Sequence, residues 1–178
     1  MPVAAVAMME APPAALKWVL AGGLTPEDAN DEYGFRWHEE ARRVFIPTPG
    51  GLLGRAVFGE RPKYRAYGRP CLYTLPGCGD DHRALVVVED ILSAIAVHRA
   101  GWPAVALLGT CMTAAMIGKI AKPVVIAWFD ADRAGDGAWL RLRKMLALWP
   151  TNLHRLTSKK EPKHCHRSEI VAKLEGLS

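Results

Sequence analysis

The sequence predicts an α/β protein in which a parallel β-sheet flanked by helices follows a small N-terminal α+β lobe with short antiparallel strands. Two observations predict this fold. After Arg83, continuous apolar runs such as ALVVVE, AVALLG and PVVIAWFD alternate with helical segments, which is the pattern of a buried parallel sheet covered by helices. Between residues 33 and 67 the apolar segments are shorter and are separated by Gly and Pro, as in antiparallel strands joined by turns.

The elements follow in order along the chain. PAALKWVLAG at 13–22 predicts a short helix that ends at Gly22, and Thr25-Pro26-Glu27-Asp28 resembles the start of another. FRW, RVFIPT, LLGRAVF and KYRAY are the predicted strands of the first lobe. Later, DILSAIAVHRAG, CMTAAMIGKIAK and GDGAWLRLRKMLAL predict helices, and NLHRLT a further strand. The loop-rich segment 68–83 holds the expected boundary, so we expect a basic lobe at 1–82 and a second domain with a C-terminal helix at 83–178.

Composition and the lack of targeting signals predict a globular protein of the cytoplasm. A chain of 178 residues can bury a core without disulfides or a structural metal, and its net charge of +5 weakly favours a polyanionic partner. No apolar run approaches the ~20 residues of a membrane span. The apolar N-terminal segment lacks a cationic start and contains Glu10, which makes it a poor signal peptide. We therefore expect a cytoplasmic protein with reduced thiols and no membrane partner.

The cysteines do not predict a zinc module. None of the four belongs to a CxxC pair, so the spacing of a zinc ribbon is absent. His164, Cys165 and His166 are adjacent residues, and neighbouring side chains of an extended segment point in opposite directions. We interpret these three as exposed loop residues and not as ligands.

Acidic residues follow two of the predicted parallel strands. Glu89 ends the first strand after Arg83, and Asp130 ends the third, with Asp132 two residues later. The carboxyl ends of parallel strands meet at one edge of a sheet, so these acids should lie close together, with Asp90 and Asp136 near enough to assist. Carboxylates grouped in this way suit Mg²⁺ or Mn²⁺. Any one of the acids could simply cap a helix, but the combination favours a metal centre.

A basic and aromatic strip precedes these strands. Arginine and lysine residues recur at short intervals with Glu60 as the only acid among them, and Phe58, Tyr64 and Tyr67 lie between them; the basic residues are Arg55, Arg61, Lys63, Arg65 and Arg69. Such a strip can hold phosphates and stack bases. A solvated strand face is an equally good explanation of the pattern.

Taken together, VVVEDILSAIAVHRAG, AVALLGT and AWFDADRAGDGA resemble the TOPRIM domain, which is shared by bacterial-type DNA primases, topoisomerases and certain nucleases. The resemblance covers residues 83 to about 157. It implies that the first-strand glutamate, Glu89, and the DxD pair, Asp130 and Asp132, are the catalytic metal-binding acids. It also implies that Gly109 and Thr110 form the tight turn after the second strand.

The primase branch of the family fits best. RRVFIPTPGGLLGRAVFGERPKYRAYG is similar to the primase segment that forms a basic wall beside the acids. The resemblance implies contacts with template or nucleotide phosphates from Arg43, Arg55, Arg61, Lys63 and Arg65. KKEPKHCHRSEIVAKL resembles the end of the catalytic domain in phage primases fused to helicases, where a DPK-like motif precedes a helix, and this suggests a phage or prophage origin.

The sequence departs from that pattern at three positions. Many primases have an acid four residues after the first-strand glutamate and a glycine directly after it, where this chain has Ser93 and Asp90. Glu161 stands where the tail motif often has aspartate. Two interpretations of these exchanges are open: they move a carboxylate, with Asp90 substituting for the missing one, or they weaken the second metal.

The resemblance implies metal-dependent synthesis of short RNA primers from nucleoside triphosphates on single-stranded DNA, with a separate replicative helicase as a further partner. The protein would act in the host cytoplasm if it is phage-encoded. Two alternatives use the same residues. One is a metal-dependent TOPRIM nuclease that activates water, and the other is a catalytically weakened TOPRIM module that binds DNA or a replication protein. A topoisomerase is disfavoured because its catalytic tyrosine lies on another domain.

Overall fold

The computed structural model describes residues 5–69, 72–75, 83–108 and 113–177. The chain forms two compact units, Met1–Cys71 and Leu72–Ser178. The division lies inside the segment 68–83 in which the sequence places a boundary. It comes before residue 82 because residues 73–74 pair with the sheet of the second unit.

The first unit contains an antiparallel sheet and two short helices, as the sequence predicts. The sheet order is β1-β2-β3-β4-β5, with strands β1 (Ala5–Ala7), β2 (Arg36–His38), β3 (Arg43–Thr48), β4 (Gly51–Ala56) and β5 (Tyr64–Gly68). A 3₁₀ turn at Met8–Glu10 leads to helices α1 (Pro13–Ala21) and α2 (Pro26–Asp31). Helix α2 begins where expected, because the Thr25 hydroxyl accepts the Asp28 N–H at 3.0 Å.

The second unit contains the predicted parallel sheet. Its order is β10-β9-β7-β8-β6, with strands β6 (Tyr73–Thr74), β7 (Leu85–Val88), β8 (Ala104–Ala106), β9 (Val124–Ala127) and β10 (Asn152–Arg155). All described pairings are parallel except that of β6 with β8. The helices are α3 (Ile91–Arg99), α4 (Ala114–Ile120), α5 (Arg133–Leu146) and α6 (Arg167–Glu175), and a 3₁₀ turn at Pro162–His164 precedes α6. In the described parts of the chain, no helix is long and apolar enough to cross a membrane.

Strand β7 lies in the middle of this sheet and is buried on both faces. Its four residues are at most 1% exposed. Leu85 and Val87 belong to a core cluster with Ile117 of α4 and Leu142 of α5, and the pleat directs the intervening valines to the opposite face. Burial on both faces explains why the strand is an uninterrupted apolar run without polar alternation.

Two strands were not predicted. β1 is three small apolar residues within a segment that the sequence analysis considered only as a targeting signal, and β6 is two residues within a segment interpreted as loop. Both are too short to show a period of two. They form because each pairs with a neighbouring strand, β2 and β8 respectively.

Candidate metal centre

Glu89 and Asp130 lie at the carboxyl ends of two adjacent parallel strands. β7 and β9 are neighbours, with Val87 opposite Ala127, and Glu89 comes directly after β7. The Asp130 N–H donates a hydrogen bond to Glu89 Oε1 at 3.1 Å. The Glu89 carboxylate therefore points to the segment that carries the DxD pair, as the sequence analysis expected.

Asp132 and Gly135 bring the start of helix α5 against these acids. Asp132 is the N-cap of α5, and its Oδ1 accepts the Gly135 N–H at 2.8 Å. A Cβ added at Gly135 would lie 2.0 Å from the Asp130 carbonyl oxygen and 3.0 Å from Glu89 Oε1. Only glycine allows the helix to come this close, so Gly135 is a functional position that the sequence analysis missed.

The electrostatics of the acids reflect their crowding. Burial raises the pKa of Glu89, and the negative charges of Asp130, Asp132 and Asp90 add to that increase, although the hydrogen bond from Asp130 N–H opposes it. The pKa of Asp130 is also raised, first by burial and then by the charge of Glu161, against the opposing effect of Lys163. Half-buried carboxylates that repel one another cost free energy, and a bound cation would remove that cost.

The donor chemistry of these acids fits a divalent cation, although the ligands are not yet gathered around one point. Within the ranges that the structure describes, no three Asp, Glu, His or Cys side chains form a ready-made metal-binding group. The hydrogen bonds above use Oε1 of Glu89 and Oδ1 of Asp132. The second oxygen of each carboxylate is a hard ligand of the kind that Mg²⁺ and Mn²⁺ prefer.

Asp90 is held by other groups, and its placement does not support the ligand role expected for it. Its Oδ1 accepts the N–H groups of Leu92 at 3.0 Å and Ser93 at 3.3 Å, which caps helix α3. Its Oδ2 accepts the Ser93 hydroxyl at 2.8 Å and the Lys163 ammonium at 3.1 Å. A carboxylate offers about four acceptor sites, and these four hydrogen bonds use them.

Asp136 also has a different partner from the one expected. Its carboxylate is 62% exposed and forms an ion pair with Arg155, whose guanidinium lies 5.7 Å from the ring centroid of Trp139. Asp136 thus contributes to the surface of helix α5, and its placement does not support the assisting metal contact suggested by the sequence.

Glu161 and Lys163 join the acid cluster, which the sequence analysis did not predict. Lys163 forms ion pairs with Asp90 and Glu161 and is 21% exposed. Burial alone would lower the pKa of Lys163, but these two carboxylates outweigh it and raise the pKa. The only sequence signal was the resemblance of Glu161-Pro162-Lys163 to a DPK-like motif, which gave no position relative to Glu89.

A groove in the first unit is lined by part of the basic strip. It has a volume of about 620 Å³, and Arg55, Arg61 and Lys63 line it together with Glu60. The Arg55 guanidinium lies 5.3 Å from the Tyr64 ring centroid, and its buried Nε has no hydrogen-bond partner among the described residues. The groove therefore presents three cationic side chains, which suits the binding of phosphate, and the Tyr64 ring lies against one of them.

Arg43 and Arg65, the other two residues expected to contact phosphates, do not line this groove. Arg43 is 5% exposed and donates from Nη1 to the Gly54 carbonyl at 3.1 Å, so its burial corrects the expectation that it contacts phosphate. Arg65 is exposed and pairs across the sheet with Gly54, whereas Arg55 pairs with Tyr64 in the next register position. Successive side chains alternate between faces, which places Arg65 and Arg55 on opposite sides of the sheet.

The remaining expectations concern His164, Cys165 and His166, the turn after β8, and the other cysteines. His164 ends the 3₁₀ turn, the Cys165 thiol donates to the Glu161 carbonyl at 3.5 Å, and His166 precedes helix α6. Gly109 and Thr110, expected to form the turn after β8, lie outside the described residues, as do Cys71, Cys78 and Cys111.

Part of the second unit matches a known family model. Residues 83–157 match the family model described as Toprim domain, and this segment carries the strand-end acids Glu89, Asp130 and Asp132. No curated protein matches the chain significantly.

The chain is similar in fold to solved structures of a bacterial primase and a phage primase. The Aquifex aeolicus primase, with its zinc-binding and RNA polymerase domains, is similar with a TM-score of 0.74 and 18% identity over 96% of this chain. This chain spans 57% of that structure's length. The primase fragment of the bacteriophage T7 primase-helicase is similar with a TM-score of 0.56 and 15% identity, covering 88% of this chain and 72% of that one.

A third structure is the T7 lagging-strand DNA polymerase complex with primase domains of two gp4 subunits bound to an RNA/DNA hybrid and dTTP. It is similar with a TM-score of 0.54 and 18% identity, covering 88% of this chain and 89% of that one. The TOPRIM and primase resemblance inferred from the sequence is thus confirmed for the fold.

Proposed function

We propose that this chain is a primase-like nucleotidyltransferase that makes short RNA primers on single-stranded DNA. The observation that supports the proposal most directly is the hydrogen bond from Asp130 N–H to Glu89 Oε1, because it joins the two acid-bearing strand ends of a Toprim domain. The shared fold with the Aquifex primase supports the primase branch over Toprim nucleases and topoisomerases.

In this proposal, Glu89, Asp130 and Asp132 hold Mg²⁺ or Mn²⁺ through carboxylate oxygens. Held by these three acids, a divalent ion would supply positive charge to stabilise the charge that develops during nucleotidyl transfer. Asp132 and Gly135 fix the start of helix α5 beside these acids, so the carboxylates are presented on rigid elements. No protein nucleophile is needed.

The substrates are a nucleoside triphosphate and a single-stranded DNA template. Arg55, Arg61 and Lys63 would neutralise phosphate charge in the groove of the first unit, and Tyr64 offers a ring on which a base can stack. The T7 relative is a primase-helicase, which supports a separate replicative helicase as a partner. A replication role would place the protein in the cytoplasm, that of the host if the chain is phage-encoded.

A primer-synthesis assay tests the proposal. The protein is incubated with random single-stranded templates, labelled nucleoside triphosphates and Mg²⁺ or Mn²⁺, and the products are separated on a denaturing gel. We expect short RNA products that disappear in EDTA and in the Glu89→Gln and Asp130→Asn variants. Glu175→Gln removes an exposed carboxylate of helix α6 away from the acids and serves as the matched control.

Each other outcome selects a different function. Metal-dependent shortening of labelled template without new RNA would support a Toprim nuclease. Template binding without extension or cleavage would support a binding module. RNA synthesis that survives both acid substitutions would show that the assigned metal centre is wrong.

A further inference from the structure

Lys163 brings a positive charge into the acid cluster from a distant part of the chain. Its ammonium lies 3.1 Å from Asp90 Oδ2 and also pairs with Glu161. The side chains of Lys163 and Asp90 are 21% and 18% exposed, so water screens this contact only partly. The contact spans 73 residues of sequence and joins the 3₁₀ turn before α6 to the start of α3.

The carboxylates that Lys163 contacts are part of the same electrostatic group as the proposed metal ligands. The charge of Asp90 acts on Glu89, and the charges of Glu161 and Lys163 act on Asp130. The cluster therefore has two sides. Glu89, Asp130 and Asp132 form the side proposed for the divalent ion, and Asp90 and Glu161 form the side where an ammonium already neutralises charge.

Ser93 strengthens this arrangement. Its side chain is buried, with the residue 2% exposed, and its hydroxyl donates to the same Asp90 oxygen that receives the Lys163 ammonium. A carboxylate at position 93 would instead repel Asp90 and attract a second cation. Ser93 and Lys163 thus act together, because both satisfy Asp90 as a hydrogen-bond acceptor.

We propose that Lys163 is a built-in cation that takes the place of a second divalent ion, so that the acid cluster binds one metal ion per chain. This inference rests on the proposed metal centre at Glu89, Asp130 and Asp132. Its new content is the role of Lys163, Asp90 and Ser93. A second divalent ion between Asp90 and Glu161 would have to displace the ammonium or lie against its positive charge, and both are unfavourable.

The test counts Mn²⁺ ions by isothermal titration calorimetry and by electron paramagnetic resonance of free Mn²⁺ on the full chain, without any activity measurement. We expect one Mn²⁺ per chain for the parent protein. Lys163→Gln removes the ammonium and leaves Asp90 and Glu161 without their cation, so the number should rise to two. Lys163→Arg retains the positive charge and should still bind one.

A double variant controls for loss of folding. In Lys163→Gln/Asp90→Asn the Asp90 charge is removed together with the ammonium, which leaves Glu161 alone on that side of the cluster, and the asparagine oxygen can still accept the N-cap hydrogen bonds of α3. We expect this protein to fold and to bind one Mn²⁺. Circular dichroism and gel filtration on each variant establish that the counts refer to folded protein.

The outcomes separate this inference from the proposed function. Two ions bound by the parent, or one ion bound by folded Lys163→Gln, would overturn the role of Lys163 and leave the metal centre standing. No ion bound by the parent at saturating Mn²⁺ would overturn both. If Lys163→Gln does not fold, the double variant and the parent decide. Two ions bound by the double variant would overturn the inference, whereas one ion bound by each of the two proteins would support it.

Discussion

The backbone N–H of Asp130 donates to Oε1 of Glu89 across 41 residues of sequence, and this bond links the carboxyl ends of two adjacent parallel strands. It orients the Glu89 side chain toward the loop that carries Asp132. The same loop continues into helix α5, whose third residue, Gly135, lies against both acids. The geometry of the acid cluster therefore depends on backbone contacts as much as on the acids themselves.

The pH dependence of stability should reveal the crowding of the acids. The pKa values of Glu89 and Asp130 are raised from 4.5 and 3.8, so the folded protein holds these protons more tightly than the unfolded chain does. Their stabilising contribution is therefore present below the ordinary values and is lost as pH rises through the raised ones. In urea unfolding with EDTA, Glu89→Gln should gain stability relative to the parent as the pH rises above 4.5, the ordinary pKa of glutamate.

At saturating Mn²⁺ the parent should be more stable than Glu89→Gln, because a ligand that binds only the folded state stabilises it. The parent protein should gain more free energy of unfolding from Mn²⁺ than Glu89→Gln does. A stability difference that does not change with pH in EDTA would mean that Glu89 is not crowded by its neighbours.

Gly135 should tolerate no side chain. In Gly135→Ala the Cβ would meet the Asp130 carbonyl oxygen at 2.0 Å, and backbone atoms cannot move aside cheaply. We expect a loss of about 1–3 kcal/mol in the free energy of unfolding, or more, together with weaker Mn²⁺ binding. Gly137→Ala is the matched control in the same helix. Its Cβ would meet only the flexible end of Arg141 at 3.3 Å, so it should gain about 0.5–1 kcal/mol.

Two substitutions of Asp132 should separate folding from metal binding. Asp132→Ala removes the N-cap of α5 and should cost about 1 kcal/mol of stability. Asp132→Asn keeps a side-chain oxygen that accepts the Gly135 N–H, so its stability should stay close to that of the parent. Both should weaken Mn²⁺ binding, which calorimetry would measure. If only the alanine variant loses Mn²⁺, Asp132 acts through the helix and is not a ligand.

Basic residues that line the groove should contribute more to DNA binding than Arg65 does. Arg61 and Lys63 line the groove, whereas Arg65 is exposed and does not line it. Arg61→Ala and Lys63→Ala should each weaken binding to single-stranded DNA and reduce the slope of log K against log salt by about 0.7. Arg65→Ala removes the same charge and should leave the slope unchanged. Fluorescence anisotropy at several salt concentrations would measure this, and equal slopes for all three variants would contradict the groove.

Much of the second unit could be predicted because burial on both faces leaves a clear trace in the sequence. The run Leu85–Val88 is apolar, rich in β-branched residues and followed by a helical segment, which predicts a strand of a covered sheet with the next acid at the sheet edge. The proximity of Glu89 to Asp130 follows from parallel pairing alone, before any side chain is considered. Strands β1 and β6 lack such a trace because pairing with neighbours, and not their own pattern, makes them strands.

The basic strip and the Lys163 contact show what a linear pattern omits. Residues that alternate along a strand look like one strip in the sequence, but the pleat sends Arg55 and Arg65 to opposite faces. Arg43 looks like an exposed cation until its strand is paired on both sides, which buries it against Gly54. Lys163 reaches Asp90 only through tertiary folding, since nothing local connects residues 73 positions apart.

The position of β7 in the middle of the sheet should protect the acid cluster from local opening of the sheet. Backbone amides exchange with solvent through local openings, and these begin at frayed edges such as the two-residue β6. Glu89 is carried at the end of the strand that such fluctuations reach last. The carboxylate geometry should therefore persist while the periphery of the sheet opens and closes, and deuterium should enter β7 more slowly than either outer strand.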